Sequence, residues 1–178
     1  MAEKARKMSV PTTGITARIR TVFEVVIAVV LAHILLFNLS VVRGSSMVPG
    51  IHDGDRIFIN HFAYFFSDVR YGDVVVLKYP LDPSRDYVKR VIGLPGDEVM
   101  LENGRVWVNG VRLSEPYISA PDPLVHMSVC VRKAYFFVLG DNRLRSFDSR
   151  DFGQVPQDYI RGKVEARLWP PGRAGTVD

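Results

Sequence analysis

The sequence predicts a mainly β protein, an antiparallel β-sheet or barrel-like domain that follows one N-terminal transmembrane helix. Val22–Val42 is a run of 21 residues in which only Glu24, His33, Asn38 and Ser40 are not apolar. About 20 such residues suffice to cross a hydrocarbon core of ~30 Å. Beyond it the chain breaks into short runs of Val, Ile, Phe and Tyr divided by Gly, Pro, Asn and Asp, the pattern of strands and turns. No long amphipathic helical period interrupts those runs.

Residues 1–20 hold Lys4, Arg6, Lys7, Arg18 and Arg20 against Glu3 alone; removing them from the chain's 23 basic and 19 acidic residues leaves 18 of each. The net charge of +4 therefore sits in front of the apolar run, the flank of a membrane anchor and not a nucleic-acid-binding face. The expected organisation is a basic cytoplasmic tail (1–20), a transmembrane anchor (21–42) and an exported β-rich domain (43–170), with a flexible tail over 171–178. A cleaved secretory signal would have an apolar region of ~7–15 residues and an A-x-A-like site, whereas this run passes Ala32 and meets Arg43-Gly44-Ser45-Ser46. A buried helix of a soluble domain would carry a polar stripe, which is missing. His33, near mid-span, is assigned no role.

In the exported part, strands are expected at 56–60, 73–78, 87–92, 98–101, 105–108 and 134–139. Asn103-Gly104 joins two of them as a two-residue hairpin turn. Pro116, Pro121 and Pro123 demote 114–127 to loop or edge. The cluster Phe62-Ala63-Tyr64-Phe65-Phe66 fits core, or a surface that dips into lipid. A length of 178 residues suits one domain, and 47% hydrophobic with 24% charged residues excludes a disordered chain. Cys130 is the only cysteine, so no internal disulfide can form.

Several catalytic toolkits are missing. His33, His52, His61 and His126 are scattered, with no H-x-x-x-H or C-x-x-C spacing for zinc and no motif for a Ser-His-Asp triad. No phosphate-cradling glycine loop occurs. Two features remain. Gly44-Ser45-Ser46-Met47-Val48-Pro49 directly follows the anchor, where serines beside Gly and Pro are ordinarily turn residues. In Tyr87-Val88-Lys89-Arg90-Val91-Ile92, strand alternation puts Lys89 and Arg90 on opposite faces. Either the strand is an edge with both cations solvated, or one is desolvated. A desolvated lysine has a lowered pKa and can take a proton from a serine.

Ser-Ser-Met-Val-Pro, then Gly54-Asp55-Arg56, then Tyr87 to Asp97, then Gly140-Asp141-Asn142-Arg143 with Ser146 and Asp148-Ser149-Arg150 together resemble the ordered motifs of bacterial type I signal peptidases (leader peptidases). The resemblance runs from the basic N-terminus to about Val164. It implies Ser46 as nucleophile, Lys89 as general base, Ser146 as the hydroxyl that orients the lysine, and Asp148 with Arg150 as a supporting ion pair. The Ser46 backbone N–H would form part of the oxyanion hole. Gly44 stands where some members place a second donor from a serine, so the resemblance assigns the hole to the Ser46 backbone and the Gly44 region and leaves the second donor, backbone or water, open. Val42, Met47, Ile51, Tyr87 and Val88 would line the substrate pockets. Gly50 and Leu144-Arg145 depart from the usual family residues. The implied enzyme is a membrane-anchored serine endopeptidase needing no cofactor or metal. It would remove signal peptides from exported preproteins after a small-x-small sequence, through an acyl-enzyme. The implied partners are preprotein signal peptides, the lipid bilayer and the secretion machinery. The implied location is the bacterial cytoplasmic membrane, single-pass, with the domain on the outer side. A specialised pilus or conjugation maturation peptidase shares the chemistry. A non-enzymatic anchored domain binding an envelope partner would have no reason to hold Ser46, Lys89 and Ser146 together.

Overall fold

The structure, a computed structural model, describes residues 13–37 and 39–177, with side chains over 17–31 and 39–177. It divides into two units, 1–37 and 38–178.

The first unit is the helix α1 (Thr13–Phe37). Ile19, Val22, Phe23, Val25, Val26, Ile27, Val29, Val30 and Leu31 are all exposed, so this helix has apolar residues on every side instead of a single core-facing stripe. Arg20 and Glu24 pair across one turn near its start, at 2.8 Å. Among the described residues, no helix is long and apolar enough to cross a membrane. The basic residues Lys4, Arg6 and Lys7 lie outside the described residues, as does the side chain of His33.

In the second unit every strand pairing among the described residues is antiparallel. Its larger sheet runs in the order β1 (Leu39–Val41), β2 (Arg56–Asn60), β11 (Ile160–Trp169), β3 (Val74–Tyr79), β4 (Asp82–Gly93), β9 (Tyr135–Leu139) and β10 (Val155–Pro156). β12 (Gly175–Thr176) also pairs with β11. The smaller sheet is β7 (Val111–Arg112), β6 (Arg105–Val108), β5 (Glu98–Glu102) and β8 (Met127–Cys130). Asn103 and Gly104 both take positive φ in the β5–β6 turn, as an Asn-Gly hairpin requires. The expected mainly β, antiparallel fold is what the chain adopts, as two sheets.

Three apolar clusters organise the core. One joins Val42, Met47 and Ile51 to β2, β3 and β11; a second lies in and beside the smaller sheet; a third holds Val75, Leu77, Val91, Phe136, Val138 and Val155. β4 feeds all three, because alternate side chains leave its two faces.

Two expectations need correction, and an open one is narrowed. The anchor was expected to run to residue 42, but Leu39–Val41 pairs with Arg56–Phe58 and Val42 is buried in the core. A strand partner satisfies the backbone of this stretch in place of helical bonds. The tail after 170 is packed and not frayed. β12 pairs with Ala166 and Arg167, Arg173 bonds Asp55 at 2.6 Å, and Val177 is buried. Phe62, Phe65 and Phe66 are exposed, up to 92% for Phe66, and only Tyr64 of that cluster packs on the core. A four-residue helix, Ala63–Phe66, cannot bury every side of itself.

Candidate active site

The site is built on β4. Both of its adjacent cations are buried, Lys89 at 3% and Arg90 at 2% exposure, with β3 paired along one side of the strand and β9 paired on the other from Arg90 onward. The solvated-edge alternative therefore fails. A buried charge is tolerated only when paired and hydrogen-bonded, and the two residues meet that condition differently.

Arg90 is matched. Its Nε donates to Asp141 Oδ1 and its Nη2 to Asp141 Oδ2, each at 2.9 Å, and its Nη1 donates to the Gly72 carbonyl at 2.9 Å. The Tyr117 ring covers the guanidinium at 4.1 Å. Lys89 has no such match: among the described residues, no carboxylate forms an ion pair with it, and its Nζ donates to Ser46 Oγ at 2.7 Å. Burial pushes its pKa down from 10.5 to about 8, against the opposing pull of the Asp148 and Asp141 carboxylates.

Ser46 is presented by a closed loop. Val42 N–H donates to Asp55 O at 2.8 Å, Gly54 N–H returns to Val42 O at 2.9 Å, and Gly44 N–H donates to Asp53 Oδ1 at 2.7 Å. Gly44 sits at φ +100°, a conformation that only glycine adopts without strain. Its N–H is thus committed to Asp53 and does not complete an oxyanion hole in this arrangement. The Ser46 N–H engages no acceptor among the described residues.

The segment after β9 closes over this loop. Asn142 N–H donates to Ser46 O at 2.9 Å, and Asn142 Nδ2 donates to Ser45 O at 3.1 Å. A Cβ at Gly140 would lie 2.5 Å from the Ser46 carbonyl oxygen and would collide with the Ser146 side chain. Glycine is needed there for close approach. Asp148 is fully buried, accepts Gly140 N–H at 2.9 Å, and is bound by Arg150 through Nε at 2.8 Å and Nη2 at 2.9 Å. Ser149 Oγ accepts Val138 N–H at 2.9 Å, fastening the same segment to β9.

The expected residues fall into place unequally. Ser46 and Lys89 meet, and Asp148 and Arg150 pair. Ser146 is adjacent through Gly140, but its Oγ is buried with no hydrogen-bond partner, so the expected bond to Lys89 is not made. Val42, Met47, Ile51 and Val88 share one apolar cluster. Tyr87 lies on the opposite face of β4, its ring 5.3 Å from Lys89 Nζ and stacked on Tyr79 at 4.6 Å. Adjacent strand residues cannot line one pocket from the same face.

Sequence reasoning did not foresee the Arg90–Asp141 pair, the Asn142 clasp, or the buried pair of Arg143 with Glu115. A signal for the first was available. Once a strand places two cations inside, the one not needed for chemistry calls for a carboxylate, and Asp141 stands in the Gly-Asp-Asn-Arg motif. No local pattern marks Glu115.

Comparison with known proteins follows the same lines. Residues 15–169 match the family model described as signal peptidase, peptidase S26. The chain is 39% identical over 142 residues to a probable signal peptidase I-2 of Synechocystis sp., covering 76% of this chain and 65% of that protein. It is 36% identical over 162 residues to signal peptidase I of Bacillus caldolyticus, covering 83% and 88%. It is 34% identical over 177 residues to signal peptidase IB of Staphylococcus aureus, covering 85% and 91%. The crystal structure of a signal peptidase I from Enterococcus faecalis V583 superposes with a TM-score of 0.50 at 31% identity, covering 55% of this chain and 97% of that one.

Proposed function

The chain belongs to the signal peptidase family, peptidase S26, and on that premise we propose that Ser46 and Lys89 are its catalytic dyad. Membership makes the chain a serine peptidase, with signal-peptide-bearing preproteins as the substrate class. The observation that carries the dyad is the 2.7 Å contact between Ser46 Oγ and a buried lysine that has no ion-pair partner among the described residues.

Neutral Lys89 has a lone pair on Nζ, and across the same contact the Ser46 hydroxyl then donates to it. Ser46 Oγ attacks the scissile carbonyl as its proton passes to Nζ. The Ser46 N–H faces the developing oxyanion. The ammonium returns that proton to the leaving amine as the C–N bond breaks, leaving an acyl-enzyme. Lys89, neutral again, takes a proton from the water that attacks the ester, and returns it to Ser46 Oγ as the ester C–O bond breaks, which frees the acid product and restores both groups. Asp148, Arg150 and Ser146 support the loop on which these groups meet.

Substrate enters as a strand. β4 pairs with β3 from Asp82 onward, but β9 covers it only from Arg90, leaving the Asp82–Lys89 edge without a strand on that side among the described residues. An extended peptide added there alternates its side chains, so positions −1 and −3 face the protein while −2 faces away. Val42, Met47, Ile51 and Val88 pack into one buried apolar cluster, and a side chain set against so filled a face has to be small, as Ala, Gly or Ser is. Among the described residues no helix is long and apolar enough to cross a membrane; the support for an anchor in the cytoplasmic membrane, with the β domain outside, is the basic flank ahead of an apolar stretch together with family membership.

The test is cleavage of a preprotein series substituted singly at −1, −2 and −3, by the full chain and by Ser46→Ala. Cleavage restricted to small residues at −1 and −3, and abolished by Ser46→Ala, is expected. Leu at −1 cleaved as well as Ala would defeat the specificity reading, and residual normal cleavage by Ser46→Ala would defeat the dyad.

A further inference from the structure

The stretch 113–126 has no helix or strand, and loops of about 12–15 residues or more without secondary structure are uncommon in compact domains and usually functional. Its contacts have a pattern. Three arginines stand beside residues that pack around the site: the buried Arg90, next to Lys89 on β4, the buried Arg143, next to Asn142, and the half-buried Arg150, on Asp148. Each of the three is held by one residue of this stretch. Glu115 binds Arg143, with both side chains under 10% exposed. Tyr117 lies 4.1 Å over the Arg90 guanidinium. Asp122 accepts from Arg150 Nη1 at 3.1 Å.

We infer that the segment Glu115–Asp122 is a strap that positions the loop carrying the catalytic contacts, with Glu115, Tyr117 and Asp122 as positioning residues acting through Arg143, Arg90 and Arg150. The inference rests on the Ser46–Lys89 reading. Arg143 Nε donates to the Gly140 carbonyl at 3.0 Å, and Gly140 is where a Cβ would strike both Ser46 and Ser146. A shift of Arg143 is thereby transmitted to the nucleophile. Arg150 holds Asp148, which accepts Gly140 N–H from the other side. Tyr117 Oη donates to Glu115 Oε1 at 3.2 Å, tying two strap contacts together. Pro121 packs against Gly104 in the β5–β6 turn, so the strap is braced on the smaller sheet. Among the described residues, no strap residue belongs to the buried apolar cluster of Val42, Met47, Ile51 and Val88. Its effect falls on the geometry of reaction and not on substrate affinity.

The experiment measures kcat and KM separately on a preprotein, with the full chain in detergent, for Glu115→Gln, Asp122→Asn, Tyr117→Leu and Tyr117→Phe, beside Ser46→Ala. Misplacement of reacting groups by ~1 Å can cost about 10²-fold. The first three are therefore expected to lower kcat by about tenfold or more, leaving KM close to that of the parent. Tyr117→Phe keeps a ring over Arg90 and retains most of kcat. If Glu115→Gln fails to fold, the Tyr117→Leu and Tyr117→Phe pair decides the matter alone. Folded strap variants with the parent's kcat, a loss confined to KM, or equal losses in Tyr117→Leu and Tyr117→Phe would each overturn the strap. Activity surviving in Ser46→Ala would instead overturn the dyad beneath it.

Discussion

The two faces of β4 solve one problem in opposite ways. On one face Arg90 is buried and bound by both oxygens of Asp141 under the Tyr117 ring. On the other, one residue away, Lys89 is buried as deeply and meets a hydroxyl, Ser46 Oγ, with Tyr87 beneath. The matched guanidinium stays charged and holds the fold. The unmatched ammonium is under pressure to lose its proton, and its pKa falls to about 8. Burial alone does not separate a structural cation from a chemical one; the identity of the partner does.

That contrast breaks most visibly in activity. Ser46→Ala and Lys89→Ala are each expected to lower turnover by about 10³-fold or more, with the double variant no worse than either single one, because the pair acts as a unit. Lys89→Arg is expected to fail equally, since a guanidinium cannot deprotonate to serve as base. Measurement of single-turnover cleavage decides each case.

In stability the order reverses. Asp141→Asn leaves Arg90 buried without its carboxylate and is expected to cost about 3–5 kcal/mol in denaturant unfolding. Lys89→Met removes a buried, unmatched ammonium, and is expected to leave the unfolding midpoint unchanged or raised. A loss for Lys89→Met as large as that for Asp141→Asn would erase the distinction between the faces.

Ser146→Ala sharpens the comparison at a smaller scale. Its hydroxyl is buried without a partner, so its removal is expected to change stability by no more than about 1 kcal/mol while lowering kcat, if the hydroxyl supports Lys89 during turnover. The smallest effect is a slope. Because the folded pKa of Lys89 lies below the unfolded one, the folded state binds fewer protons, and stability contributed by this group rises with pH between about 8 and 10.5. Lys89→Met is expected to lose that rise.

How far the sequence disclosed this arrangement depends on the range of the interactions. β2 was legible at its observed bounds, and β5 and β6 were framed by their Asn-Gly turn, because local pattern and local structure agree there. β11, at the middle of the larger sheet, was not foreseen. Arg161, Lys163, Glu165 and Arg167 alternate with Gly162, Val164 and Ala166, and small residues on the inner face leave the apolar period faint. The packed tail was hidden for the same reason that hid Glu115: both are ordered by ion pairs with residues far away in sequence, Arg173 with Asp55 and Glu115 with Arg143. Ser46 and Lys89 were legible as residues through their motifs, but strand alternation alone could not say which of Lys89 and Arg90 would find a carboxylate.

The most direct test is the pH dependence of kcat/KM for preprotein cleavage, which reports ionisations of the free enzyme. The proposed dyad uses a neutral Lys89 as base, so the rate is expected to climb from acid pH with a half-maximum near 8 and to level off above it, in line with the lowered pKa of the buried amine. A profile flat from pH 5 to 9, or one rising only near the pKa of an ordinary solvated lysine at about 10.4, would contradict the account.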